Sequence, residues 1–220
     1  MNTNASQEIE PARCCRRRIE PWPRVRGRAF ARGISNEDAA HIIRVAGAVL
    51  RVRQLTGTDL PAIERHLLCL RPSDRQARFL GNRADEMIRA YAHELDPSRV
   101  ILVGAFDPSR RLVGLAEAHP ADTTAEVAVS IDPAFRRRGL GRSLVWHALA
   151  LAFEHSVQAA EFVFSPDNRA IVRLVQTLGG RSMTSGRMSV SLSADGAARG
   201  MRLKRVARDA ATLRQSSRDA

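Results

Sequence analysis

The residues best suited to chemistry form a short basic loop between an apolar run and a long periodic segment. The apolar run Val127 to Ile131 stops at Asp132-Pro133, and Arg136-Arg137-Arg138-Gly139-Leu140-Gly141-Arg142 follows. From Leu140 to Glu154 the apolar residues recur at helical spacing. The sequence therefore predicts a strand, a glycine-containing basic loop and a helix, in that order.

A loop of this kind suits a pyrophosphate group. The first N–H groups of a helix lack intrahelical partners, and the helix dipole adds about half a positive charge there. Gly139 and Gly141 place no Cβ between phosphate oxygens and the backbone. The loop lacks both the Lys-Ser/Thr of a nucleotide P-loop and the G-x-G-x-x-G of a dinucleotide fold. A plain turn beside a solvated arginine run remains the alternative at this point.

A candidate general base precedes the loop. Glu126 lies at the start of the predicted Thr124–Asp132 strand, and alternation places its side chain opposite the apolar residues of that strand. Glu117 and His119, near the end of the preceding strand, are competing candidates. An exposed Glu126 paired with an arginine is the structural alternative.

His147 and His155 lie too far along the following helix to reach the same site, so we assign them no chemistry.

Length and charge favour one domain with basic tails. The 220 residues carry a net charge of +12, and 44% of them are hydrophobic. The excess charge lies in residues 1–33 and 199–220, whereas the middle is nearly neutral. We therefore expect a domain over residues 34–193, a flexible tail over 1–33, and a tail or amphipathic helix over 194–220. We do not expect a nucleic-acid-binding fold.

The cysteines and the hydropathy pattern narrow the class further. Cys14, Cys15 and Cys69 show no paired metal-ligand spacing, so we expect no metal and a cytoplasmic protein with reduced thiols. No apolar run reaches the length of a membrane span, so we expect no membrane partner.

Periodicity and turn residues predict the order of elements. The predicted helices are Ser35 or Asn36 to about Ala48, Thr58 to about Leu70, Asp85–Leu95, Leu140–Glu154, and a last one through Ile171 and Leu178. The predicted strands are Val49–Leu55, Val100–Phe106, Leu112–Ala118, Thr124–Asp132, Ala160–Phe164, and a hairpin over Arg181–Leu192 that turns at Ser185-Gly186. Arg71–Arg75 is predicted to break the chain between helices, and Gly179-Gly180 to end the last helix.

Three stretches resemble the GNAT superfamily of N-acyltransferases. Arg136-x-x-Gly139-x-Gly141 after a strand looks like its acetyl-CoA pyrophosphate loop. Asn168-Arg169-Ala170-Ile171, with Leu178-Gly179 after it, resembles its second signature. Leu70–Arg75 followed by Arg78–Gly81 resembles a segment of bacterial protein-lysine acetyltransferase domains. The element order over Val49–Leu192 is also that of the superfamily.

The resemblance implies an α/β (α+β) GNAT fold, with a mixed sheet of about six to seven mostly antiparallel strands and about four helices. It implies acetyl-CoA as co-substrate, bound by the backbone at Val129 and Ile131 and bordered by Asn168. The pyrophosphate would lie on the loop, held by Arg136, Arg137, Arg138, Gly139, Leu140, Gly141 and Arg142. Glu126, in Glu126-Val127-Ala128, would be the catalytic base, and a backbone N–H near Val129 or Ser130 would hold the oxyanion.

Two positions depart from the superfamily pattern. Its frequent general-acid tyrosine falls at Val175, and the aromatic of Leu-Gly-Phe falls at Gly180. The sole tyrosine, Tyr91, is expected to be a core residue of the second helix. The CoA sulfur would then be protonated by water or another group, or would leave as thiolate.

These observations predict an N-acetyltransferase that moves acetyl to a primary amine by direct attack in a ternary complex. Protein lysine is the preferred acceptor, with a small-molecule amine as the alternative, and the chain would act as a monomer or homodimer. A catalytically silent CoA-binding regulatory module is the rival from another class. A nucleic-acid-associated protein that uses its basic tails ranks last.

Overall fold

In the computed structural model, residues 41–45 and 47–192 are described. The strands are β1 (His41–Val45), β2 (Ala48–Gln54), β3 (Ile101–Phe106), β4 (Leu112–Ala121), β5 (Thr124–Ile131), β6 (Ala159–Val163), β7 (Arg181–Thr184) and β8 (Arg187–Ser191). The helices are α1 (Leu60–Leu68), α2 (Pro72–Phe79), α3 (Asp85–Glu94), α4 (Leu140–Glu154) and α5 (Arg169–Thr177). Both predicted tails lie outside the described residues.

All eight of these strands form one sheet in the order β1-β2-β3-β4-β5-β6-β8-β7. Neighbours pair antiparallel except β5 and β6, which run parallel and are joined through α4. The mixed, mostly antiparallel α/β architecture is confirmed. Over the described ranges it has eight strands and five α-helices, slightly more than expected.

Helices cover the two faces of the sheet differently. On one face α4 and α5 pack over apolar residues that include Ala116, Val127 and Phe162. On the other face α1 and α3 pack over a second cluster that includes Leu102 and Leu115. We call this second side the α1/α3 face. None of the helices within 41–192 has the length and apolarity that a bilayer span requires.

The additional strand replaces part of a predicted helix. The helix expected from Ser35 or Asn36 to Ala48 is wrong over residues 41–45, which form β1 and pair with β2. Ile42, Ile43 and Val45 are β-branched and favour extended backbone. Gly47, at φ +80°, makes the turn into β2. The start of that predicted helix lies outside the described residues.

The additional helix is α2, where the sequence predicts only a break. Pro72 occupies its first turn, where the missing N–H costs nothing. The helix ends at Leu80, which adopts the left-handed conformation at φ 53°. No residue of α2 is buried, so hydrophobic periodicity could not reveal it. The predicted helix Leu140–Glu154 and the hairpin that turns at Gly186 are confirmed.

Candidate active site

A split in the sheet defines the site. The β5–β6 ladder pairs Thr124 with Ala159, Ala125 with Ala160 and Glu126 with Glu161, and it ends there. Beyond Glu126, β5 continues to Ile131 without β6 beside it. Five strand residues span about 17 Å, a length that suits an extended pantetheine arm. The split therefore runs from Glu126 to the start of the basic loop.

The backbone along the split faces into it. The N–H of Asp132 donates to the Val113 carbonyl at 2.8 Å, toward β4. Because N–H groups alternate in direction along a strand, those of Ile131 and Val129 face the opposite, unpaired side. The N–H of Ser130 faces β4. Of the two expected oxyanion donors, Val129 thus has the better orientation.

The loop that follows β5 has a defined conformation. The Asp132 side chain accepts from the Ala134 N–H at 3.0 Å and starts a short turn over Pro133–Phe135. Arg137 and Gly139 have positive φ, at 59° and 85°. No protein atom of the described chain lies within 4 Å of a Cβ placed on Gly139, so its backbone is open to a ligand. This openness at the start of α4 fits a pyrophosphate.

The four arginines of the loop are not equivalent. Arg136 is tethered, because its Nε donates to the Ile131 carbonyl at 2.8 Å and its Nη2 lies 2.7 Å from Asp74 Oδ2. Its side chain therefore lies at the Ile131 end of the split. Arg137, Arg138 and Arg142 are exposed and make no ion pair with any residue whose position is described. They can turn toward an anion over Gly139 without breaking an existing contact.

Asn168 caps α5. Its Oδ1 accepts from the Ile171 N–H at 3.3 Å. Since β5 and β6 run parallel, the loop after β5 and the segment that leads to Asn168 leave the sheet at the same edge. The cap residue therefore lies on the edge where the basic loop lies, and its amide nitrogen remains as a donor.

Glu126 and His119 are neighbours across the sheet. Register pairs His119 on β4 with Glu126 on β5, and both side chains lie on the α1/α3 face. Glu126 is exposed at the vertex of the split, and no arginine of the described chain lies within ion-pair distance of it. The exposure fits the structural alternative, whereas the expected arginine partner does not occur within that range.

Glu117 is the centre of a buried charged cluster. It is fully buried, its Oε1 lies 2.5 Å from Arg78 Nη2, and its Oε2 accepts from the Tyr91 hydroxyl and lies 3.1 Å from His119 Nε2. Burial opposes its ionisation, but the Arg78 charge and the hydrogen bonds from His119 and Tyr91 outweigh burial. They hold the pKa of Glu117 well below its usual range.

Tyr91 packs against the second apolar cluster, as expected of a core residue, but its hydroxyl also has polar partners. Its hydroxyl bonds Glu117 and Arg78, and burial together with the Glu117 charge raises its pKa. A raised pKa makes this phenol a poor general acid near neutral pH. In the sequence, Arg78 stands out only as part of the stretch that resembles protein-lysine acetyltransferase domains. A single arginine on a polar helix gives no periodic signal, so the sequence does not reveal that Arg78 pairs with the buried Glu117.

A second buried histidine anchors α1 to β5. His66 Nε2 lies 2.9 Å from Ser130 Oγ, and its Nδ1 lies 3.2 Å from the Leu112 carbonyl. Burial lowers the pKa of His66, although the carbonyl contact and the charges of Asp132 and Glu117 oppose this. The imidazole is therefore neutral, and its hydrogen bonds hold α1 against the sheet beside the split.

The two departures from the superfamily pattern occupy one space. Val175, at the usual position of the acid, is fully buried. A Cβ on Gly180 would lie 2.2 Å from Val175 Cγ1 and 3.0 Å from Val190 Cγ2. Gly180 therefore leaves room for Val175, and neither position offers a proton.

A strand, a basic loop and a helix beside a split parallel pair form the arrangement that the sequence predicts for an acyltransferase. A model of the acetyltransferase (GNAT) family matches residues 64–179, more than half of the chain. The chain belongs to this family and is an N-acetyltransferase.

Solved structures agree at the level of the fold. The GNAT domain of S. lividans PAT has a TM-score of 0.59 at 19% identity, over 70% of this chain and 97% of that one. The ribosomal-protein-S18-alanine N-acetyltransferase of Escherichia coli has a TM-score of 0.51 at 19% identity, over 66% of this chain and 94% of that one. A spermidine N-acetyltransferase of Vibrio cholerae, in complex with CoA and spermine, has a TM-score of 0.52 at 18% identity, over 64% of this chain and 95% of that one. A search of curated protein sequences found no match.

Proposed function

We propose that this protein transfers acetyl from acetyl-CoA to a primary amine by direct attack within a ternary complex. The observation that carries the proposal is the continuous path from the basic loop, along the unpaired edge of β5, to Glu126. A bound acetyl-CoA supplies a thioester whose carbonyl is open to attack.

The chain's own groups divide the work of binding. The backbone N–H groups at Val129 and Ile131 would bond the pantetheine arm, and that of Val129 would also stabilise negative charge on the thioester oxygen. The loop from Arg136 to Arg142 would hold the pyrophosphate. Asn168, at the same edge of the sheet, would border the cofactor.

Glu126 is proposed as the base that prepares the amine. A lysine-like amine has a pKa of about 10.4, so the neutral form at pH 7 is disfavoured by about 4.6 kcal/mol. A carboxylate at the vertex of the split can accept this proton and release it to solvent, because Glu126 is exposed. No side chain at Val175 provides an acid, which supports departure of the sulfur as thiolate.

Protein lysine is the proposed acceptor, and a cytoplasmic location is proposed with it. The support is that the Leu70–Gly81 segment, which contains α2, resembles bacterial protein-lysine acetyltransferase domains. Structural neighbours named for ribosomal-protein alanine and for spermidine make a protein N-terminus and a polyamine the other acceptors to test.

The rival is a regulatory module that binds CoA without turnover. Loss of both the tyrosine position and the Leu-Gly-Phe aromatic, packed together at Val175 and Gly180, favours it.

The deciding experiment measures CoA thiol release from acetyl-CoA with lysine peptide, protein and polyamine acceptors. We compare wild type with Glu126→Gln and with Glu154→Gln, an exposed carboxylate at the end of α4. Acceptor-dependent release that falls about 100-fold only in Glu126→Gln, with unchanged acetyl-CoA affinity, supports the proposal. CoA binding without release by wild type would favour the regulatory module.

A further inference from the structure

The buried cluster around Glu117 ends at an imidazole on the edge of the site. Its members come from three elements: Arg78 from α2, Tyr91 from α3, and Glu117 and His119 from β4. His119 has 27% of its side chain exposed, compared with 10% for Arg78 and none for Glu117.

The cluster sets the tautomer and orientation of His119. Glu117 Oε1 is engaged by the Arg78 guanidinium, and Oε2 accepts from Tyr91 and from the imidazole Nε2. An ionised carboxylate only accepts hydrogen bonds, so Nε2 of His119 must carry the proton. In the neutral ring the lone pair then lies on Nδ1, for which the described chain provides no hydrogen-bond partner.

His119 lies beside the carboxylate proposed as base. Register pairs it with Glu126 at the vertex of the split, on the same face of the sheet. Directly opposed side chains in an antiparallel pair have Cβ atoms about 5 Å apart. An amine held by Glu126 therefore lies within reach of the His119 ring.

Acetyl transfer to an ammonium group requires two proton removals from one nitrogen. The first frees the lone pair, and the second follows attack, when the nitrogen bonded to the acetyl carbon would otherwise stay positive. We propose that His119 is a second catalytic residue, whose Nδ1 accepts this second proton, and that Glu117 is the residue that positions it. This proposal rests on the proposed function.

The step balances without another reactant. Glu126 takes one proton from the ammonium and releases it to water. The nitrogen then bonds to the acetyl carbon and gives its second proton to His119 Nδ1, while the carbon–sulfur bond breaks and its electron pair leaves on sulfur. The imidazolium, stabilised by the Glu117 carboxylate, returns its proton to solvent, and the thiolate takes one from water.

A purely structural cluster would not require the imidazole. Arg78 and Tyr91 already give Glu117 a counter-charge and a hydrogen bond inside the fold. A buried ion pair adds little net stability over apolar residues of similar volume. A merely structural His119 would therefore be replaceable at small cost to turnover, and this difference can be measured.

The test is turnover by His119→Ala with and without added imidazole. We expect kcat to fall about 100-fold, with acetyl-CoA affinity and acceptor KM within about twofold of wild type. Free imidazole should raise the kcat of His119→Ala at least tenfold, because the removed ring leaves a space beside Glu117. His119→Gln should be equally slow and should not respond to imidazole, because the amide fills that space and can keep the donor to Glu117.

The control is His93→Ala. His93 also lies near a carboxylate, with Nε2 3.4 Å from Glu64 Oε2, but it is exposed on α3. This variant should keep wild-type turnover. A loss below threefold in both His119 variants, or a loss in His119→Ala that imidazole does not relieve, overturns the role of His119 while leaving the proposed function intact. Wild-type protein that binds CoA but transfers no acetyl overturns both.

Discussion

The two helices that contact the basic loop are held in opposite ways. α4 carries seven buried residues, all of them apolar. They are Leu140, Leu144, Val145, Ala148, Leu149, Ala150 and Ala152. α2 buries none of its eight residues. Apart from Phe79, which packs partly buried against the second cluster, its attachment consists of charged contacts. Its ion pairs are Arg75 with Asp85, Arg78 with Glu117, and Asp74 with Arg136.

This difference separates two roles. An apolar interface is non-directional and insensitive to ions, so α4 gives the loop a fixed base. Charge-assisted hydrogen bonds are directional, so α2 sets the orientation of particular groups. Through Asp74 it contacts the loop, and through Arg78 it contacts the Glu117–His119 pair. We therefore expect changes in α4 to act through stability alone, whereas changes in α2 should also alter the groups that it holds at the site.

The largest expected effect comes from Arg78→Met. It leaves the fully buried Glu117 carboxylate without its counter-charge, so we expect a loss of about 4 kcal/mol in the free energy of unfolding. Urea denaturation monitored by circular dichroism measures it.

The matched variant joins Arg78→Met with Glu117→Leu. It should recover most of the stability, because an apolar pair replaces the ion pair. Turnover should stay low, since nothing then orients His119. A double variant as unstable as the single one would contradict an unpaired Glu117 charge as the cause of the loss.

The sequence predicts the α4 side of the comparison far better than the α2 side. Leu140–Glu154 shows helical periodicity because one stripe is buried, and Gly139 marks the start of the helix by its type and position. α2 has no apolar stripe, and its partners Glu117 and Asp85 lie 39 and 10 residues away from the arginines that they bind. Spacing along a chain does not encode such pairings. The roles of the predicted site residues stay predictions, although Val129, Arg136 and Glu126 lie along one split.

Leu144→Ala tests the apolar side. Leu144 is fully buried against the sheet, and truncation of such a residue costs about 3 kcal/mol through lost burial and the cavity left behind. The loss should appear in urea denaturation and should be independent of salt. Leu151→Ala, at a partly buried position of the same helix, should cost clearly less. Equal losses would contradict a tight interface at Leu144.

His66 should make stability depend on pH. Its pKa is lowered by burial, so the unfolded chain takes up a proton near pH 6.5 before the folded chain does. The contribution of His66 to the free energy of unfolding is therefore fully present above about pH 6.5. It is lost as the pH falls toward the pKa of His66 in the folded chain. The slope is at most about 1.4 kcal/mol per pH unit.

Denaturation at pH 7.5, 6.5 and 5.5 measures the His66 effect. His66→Gln should flatten the dependence, whereas His93→Gln, at a position with 72% of its side chain exposed, should leave it unchanged. A wild-type curve that is flat between pH 7.5 and 5.5 would contradict a neutral, buried His66.

The smallest expected effect is that of Asp74→Asn on CoA affinity. Asp74 on α2 forms an ion pair with Arg136 of the loop. Both side chains are partly exposed, so the pair contributes less than about 1 kcal/mol to stability. Without the carboxylate, Arg136 keeps its bond to the Ile131 carbonyl and gains freedom to face an anion, while one repulsive charge is removed. Titration calorimetry should show CoA binding up to fivefold tighter, and less so at high salt. Asp85→Asn, which frees an arginine of α2 away from the loop, should leave affinity unchanged. Weaker binding in Asp74→Asn would instead mean that α2 supports the loop by holding Arg136 in place, and the charge-tuned role of this helix would give way to a structural one.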